Sequence, residues 1–163
     1  MRNYIVSLFA LMLTIGSLSA IANVATPAQT QNAIKVATIE KMYQQDASNQ
    51  GMDYPVLAQY SDKDLQVVFA LEQDYFDKEQ MSCNIGHDIL WDSQDPDYAQ
   101  DKQFAITEQG LVKVSLAQGS EIYYELTCSS IDINAECKIT DVMLDKDIYD
   151  SPTLKSYLIK NCV

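Results

Sequence analysis

The stretch QFAITEQGLVKVSLAQGSEIYYELTC, residues 103–128, repeats with a period of two. Phe104 and Ile106 are separated by one small residue. Val112, Val114 and Leu116 alternate with polar residues, and so do Ile122, Tyr124, Leu126 and, across Thr127, Cys128. Such alternation places every second side chain on one face of a strand. The segment CKITDVM, 137–143, supplies a fourth set in Cys137, Ile139 and Met143, with Asp141 as its one polar member.

These sets fit one register. Pairing Ile106 with Val112 sets Phe104 opposite Val114. Pairing Leu116 with Ile122 sets Val114 opposite Tyr124 and Val112 opposite Leu126. Pairing Cys128 with Cys137 sets Leu126 opposite Ile139, Tyr124 opposite Asp141 and Ile122 opposite Met143. A single buried face is what specifies strand register. The expectation is a four-stranded antiparallel meander with helices covering its apolar face.

Upstream, Ile34, Ala37, Ile39, Met42 and Tyr43 recur at helical spacing over Ala33–Gln45, and Asn49-Gln50-Gly51 stops that helix. Ser61-Asp62-Lys63-Asp64 resembles a capping box with Asp in place of Glu. It opens a second helix carrying Leu65, Val68, Phe69, Glu72 and Phe76 on one face and fading near Glu79. Residues 55–60 read as a preceding helical turn. After the sheet, Ser151 reads as an N-cap and Pro152 as the first position of a short helix, with Leu154, Tyr157 and Leu158 inward. The fold class is therefore α+β.

The N-terminus has the three parts of a secretory signal. Arg2 is the positive region, Ile5–Ile15 is apolar, and Ser17–Ala22 ends in an Ala-x-Ala cleavage pattern. The apolar run is shorter than the roughly 20 residues a bilayer requires, and no Cys stands near the cleavage point to take a lipid. Removing Met1–Ala22 from 163 residues leaves 141, with Asn23–Asn32 as a flexible leader and 33–163 as a single domain. Loss of Arg2 takes the formal charge from −12 to −13. That surface repels nucleic acid and anionic lipid and attracts basic proteins or cations. The expected location is periplasmic or secreted, with no membrane span in the mature chain.

Four cysteines in an exported chain imply two disulfides, for which three connectivities exist. The strand register places Cys128 directly opposite Cys137, at a separation compatible with a bridge. Cys83 and Cys162 then pair by elimination. There is no Cys-x-x-Cys pair and His87 is the only histidine, so no metal and no cofactor is expected.

The order of these parts, with Asp88 and the pair Gln94-Asp95 after the helices and Cys137-Lys138-Ile139-Thr140-Asp141-Val142 in the last strand, resembles a family of small exported bacterial proteins. That family is known as a domain of unknown function. Its last strand carries Trp where this chain has Cys137. Over Ala33–Tyr157 the resemblance implies a cystatin-like or nuclear-transport-factor-two-like cone, a sheet rolled over helices; it implies no activity.

Three functions compete. Asp88, Asp92, Asp95 and Asp97 lie within ten residues around Trp91. They suit capture of a basic partner such as a cell-wall hydrolase or a toxin, with Trp91 as an aromatic anchor. The commoner place for a lone Trp beside Ile89 and Leu90 is the core. The acidic run lacks the order of an EF-hand loop. A small-molecule binder would use the concave face of the sheet around Tyr124 and Asp141; the plainer reading of that pair is a structural hydrogen bond. A hydrolase would need His87 to converge with a Ser and an Asp, and no Gly-x-Ser-x-Gly elbow is present. With no catalytic set in the sequence, the protein reads as a binding protein and not an enzyme.

Overall fold

A computed structural model describes residues 25–51, 55–130, 135–145 and 147–163. The expected signal sequence Met1–Ala22 and the first two residues of the expected leader lie outside the described residues. The elements are α1 (Pro27–Asn49), α2 (Val56–Tyr60), α3 (Lys63–Glu79), β1 (Lys102–Ile106), β2 (Val112–Leu116), β3 (Glu121–Cys128), β4 (Cys137–Met143) and α4 (Leu154–Asn161). The strands form one antiparallel sheet in chain order, β1-β2-β3-β4, as the alternating pattern requires. α1 crosses the sheet and touches all four strands, while α3 and α4 pack on each other and on β4. No helix among the described residues is long and apolar enough to cross a membrane.

α1 starts well before the expected Ala33. Thr26 caps it through its hydroxyl, which accepts from the Gln29 backbone N–H, and the Gln29 side chain returns the bond to Thr26. Pro27 takes the first helical position. The expected flexible leader is thus helical from Pro27 onward. At α3 the cap is Asp62, whose carboxylate accepts from Leu65 N–H at 2.8 Å. Ser61 is buried instead, its hydroxyl donating to the Leu57 carbonyl. Phe76, placed inward by its spacing, is 47% exposed, because α3 runs past the edge of the core. At α4 the cap is Thr153, in a reciprocal pair with Ser156, and not Ser151.

The β1–β2 register is the expected one, Ile106 opposite Val112 and Phe104 opposite Val114. Between β2 and β3 the pairing lies two residues from the expected one: Val112 faces Tyr124 and Val114 faces Ile122. A shift of two keeps the same face inward. Its cause is the turn. Leu116 N–H donates to the Ser120 carbonyl, closing a three-residue loop with Gly119 at φ +102°, a conformation that favours glycine.

Between β3 and β4 the register slips by one at Glu125/Leu126. Leu126 faces Ile139 and Cys128 faces Cys137, as expected, but Tyr124 now faces Val142 and Asp141 stands opposite Glu125. Thr140 is the extra residue of this β-bulge. Among the described residues, its hydroxyl is the one buried side-chain polar atom without a hydrogen-bond partner.

Both disulfides have the expected pairing. Cys128–Cys137 closes the β3–β4 hairpin, and Cys83–Cys162 joins the segment after α3 to the end of α4.

Candidate functional site

The acidic segment begins with a small closed turn. Asp88 and Ser93 exchange backbone hydrogen bonds of 2.9 and 3.3 Å, and the Asp88 carboxylate accepts from Leu90 N–H at 2.8 Å. Asp92, at φ +47°, completes the turn in the left-handed region that Asp tolerates.

Trp91 points into the protein, with no exposed surface. Its indole N–H donates to Asp46 Oδ2 of α1 at 2.6 Å. Tyr43 and Tyr98 meet its ring edge-on at centroid distances of 5.2 and 5.4 Å, and Lys102 Nζ lies 4.9 Å from the ring centroid. The turn's backbone is held as well: Leu90 O accepts from Tyr43 Oη at 2.5 Å and Trp91 O from Gln118 Nε2 at 2.8 Å. This corrects the assignment of Trp91 to a partner contact. A side chain with its surface and its one polar group both satisfied inside has nothing left to offer a partner.

The acidic side chains divide. Asp92, Asp95 and Asp97 are exposed. Asp92 pairs with His87 Nε2 at 3.3 Å, and Asp97 accepts from Ala99 N–H at 3.0 Å. Asp88 turns inward. Burial holds its carboxyl above its ordinary pKa, and the nearby Asp46 carboxylate pushes the same way; backbone N–H groups and His87 oppose them.

Tyr124 and Asp141, expected to share a ligand pocket, do not meet. Tyr124 is fully buried and its hydroxyl bonds that of Tyr43 at 2.8 Å. Burial raises the pKa of both phenols. Asp141 Oδ1 accepts from Val142 N–H at 2.9 Å and from Lys155 N–H in the first turn of α4 at 3.0 Å. The one-residue bulge removes Asp141 from the core face, and its role is to hold the start of a helix.

A cavity of about 260 Å³ opens elsewhere, between the helices and the acidic turn. α2 contributes Val56 and Leu57, α3 contributes Phe69, and α4 contributes Leu154 and Leu158. Three carboxylates line it: Asp46, Glu72 and Asp88. Glu72 was visible in the sequence as the polar member of an otherwise apolar helical face. Asp46 carried no such sign, since only the fold brings it to Trp91 and Asp88.

A second cleft, of about 230 Å³, gathers His87, Asp92 and Ser120. It lacks the geometry of a Ser-His-Asp triad. The same His87 nitrogen, Nε2, faces both Asp92 and the Tyr149 hydroxyl, the latter at 3.5 Å. Among the described residues no hydrogen bond joins His87 to Ser120, whose hydroxyl meets Gln118. A triad divides Asp and Ser between the two ring nitrogens. Nor do any three His, Cys, Asp or Glu side chains among the described residues gather closely enough to hold a metal ion.

Comparison with protein-family models, with curated proteins and with solved structures gives no match in any of the three.

Proposed function

We propose that this is an exported, non-enzymatic binding protein that captures a basic partner, such as a cell-wall hydrolase or a toxin, in the periplasm or outside the cell. The observation that carries this reading is the acidic turn. Its base is fixed by the buried Trp91–Asp46 bond and by Tyr43, while Asp92, Asp95 and Asp97 remain exposed. Negative groups fixed in place ahead of binding give up little entropy when a cationic surface docks. The formal charge of −12 adds long-range attraction for the same partner. Two disulfides and the signal pattern of Met1–Ala22 support export.

The test is capture of basic proteins from an extracytoplasmic extract, by wild type and by the Asp92→Asn, Asp95→Asn, Asp97→Asn triple variant, at two salt concentrations. Wild type should retain a basic partner at low salt and lose it at high salt, while the triple variant captures it more slowly and with a flatter salt dependence. Equal capture by both proteins, or no basic partner, removes the turn from the contact.

A further inference from the structure

The cavity between α2, α3, α4 and the acidic turn has a composition that neither a hydrophobic core nor a charged surface explains. Its walls are chiefly aliphatic and aromatic, and three carboxylates stand among them with no Lys or Arg in the lining. Asp46 is almost fully buried, and its carboxylate lies close enough to Asp88 to help hold that group's pKa above its ordinary value. Asp46 is bonded by the Trp91 indole N–H and Asp88 by Leu90 N–H, but both donors are neutral, so neighbouring negative charges in this partly buried cavity favour the entry of a positive group. His87, at the edge of the cavity, has its Nε2 directed to Asp92 and Tyr149.

We propose that this cavity binds a small organic cation with an apolar body, of the alkylammonium or alkylguanidinium class. The alkyl part would lie against Leu57, Phe69, Leu154 and Leu158, and the positive group would lie among Asp46, Glu72 and Asp88. The volume, about 260 Å³, falls just below the roughly 300–1,000 Å³ of drug-sized sites, so the ligand is small. A bare metal ion fits less well, because the three carboxylates do not gather as a chelating set and the walls offer it nothing. The site is separate from the exposed Asp92, Asp95 and Asp97, and it does not depend on the capture of a basic protein.

The experiment titrates the disulfide-bonded protein with n-hexylammonium, n-butylguanidinium, 1-hexanol and hexanoate, followed by calorimetry and by amide and methyl resonances. Both cations should saturate one site and shift resonances of Leu57, Phe69, Leu154 and Leu158. Hexanol should bind at least tenfold more weakly, and hexanoate should not bind. Glu72→Gln and Asp88→Asn should each weaken the cations and leave hexanol unchanged, and either variant suffices if the other fails to fold. Leu154→Trp should abolish binding of every probe. The Asp92, Asp95, Asp97 triple Asn variant should retain full affinity for hexylammonium. Equal binding of hexanol and hexylammonium would overturn the cationic class. No saturable binding, or loss of cation binding in the triple variant, would overturn the site.

Discussion

The indole N–H of Trp91 donates to Asp46 Oδ2 at 2.6 Å in the interior, joining the acidic turn to the last turn of α1. Trp91→Ala should cost about 3–5 kcal/mol, as large aromatic deletions do. Trp91→Phe keeps most of the packing but leaves a buried carboxylate without its donor, a loss of about 1.5–3 kcal/mol. Urea unfolding followed by circular dichroism measures both. A Trp91→Ala loss below 1 kcal/mol would contradict the buried position.

Non-reducing peptide mapping should yield Cys83–Cys162 and Cys128–Cys137 and no other pair. The two bridges span 79 and 9 residues. In the loop-entropy account the long one contributes about 4–5 kcal/mol and the short one about 2.5–3 kcal/mol. The Cys83→Ala, Cys162→Ala double variant should therefore unfold at lower denaturant than the Cys128→Ala, Cys137→Ala variant. The reverse order would show that the long loop is already restricted in the unfolded chain.

Asp141→Ala should cost about 1–2 kcal/mol, because the Lys155 N–H at the start of α4 loses its acceptor. Asp141→Asn keeps one acceptor oxygen and should cost less. The neighbouring Thr140→Val exchange removes a buried hydroxyl that has no partner, and it should leave the melting temperature unchanged or raise it. A clear drop in Thr140→Val would mean that the hydroxyl is satisfied.

Asp88 gives a pH signature of known sign. Burial, then Asp46, hold its folded pKa above the ordinary carboxylate value. Below that ordinary value, about 3.9, both folded and unfolded chains carry the proton and Asp88 has no effect. As pH rises, the unfolded chain releases its proton first, so Asp88 lowers stability until pH passes the raised folded value. The loss is constant beyond it. Asp88→Asn, which can still accept from Leu90 N–H, should reduce the fall in stability over this range and be at least as stable as wild type at pH 7. Urea midpoints from pH 3 to 7 measure it, and an unchanged slope would rule Asp88 out as its source.

The sheet was legible in the sequence because alternation and strand count survive small errors of pairing. The two-residue difference between β2 and β3 left Val112, Val114 and Tyr124 on the inner face. The slip at Thr140 was the harder feature. Its sign was Asp141 itself, a carboxylate on an apolar register, followed by Val142 three residues after Ile139. An extra residue at that point returns Val142 to the core and sends Asp141 to α4. The early start of α1 was also written, in Thr26-Pro27-Ala28-Gln29, but with few large apolar residues nearby the periodicity did not reach it. The cavity was not legible. Its lining comes from five separate parts of the chain, and sequence spacing says nothing about which of them converge.

The placing of Leu154 and Leu158 in the cavity wall bears on when that cavity takes shape in a newly made chain. The meander runs strand to neighbouring strand in chain order, so its hairpins need only short loops to close and can form while later residues are still emerging. α4 follows the sheet in the chain, and its end is bridged back to Cys83 across 79 residues. A chain with the sheet formed but α4 undocked would lack one wall of the cavity and leave Leu57 and Phe69 facing water. The proposed cation site would therefore be a late feature of assembly, closed only once α4 has docked and Cys162 has met Cys83.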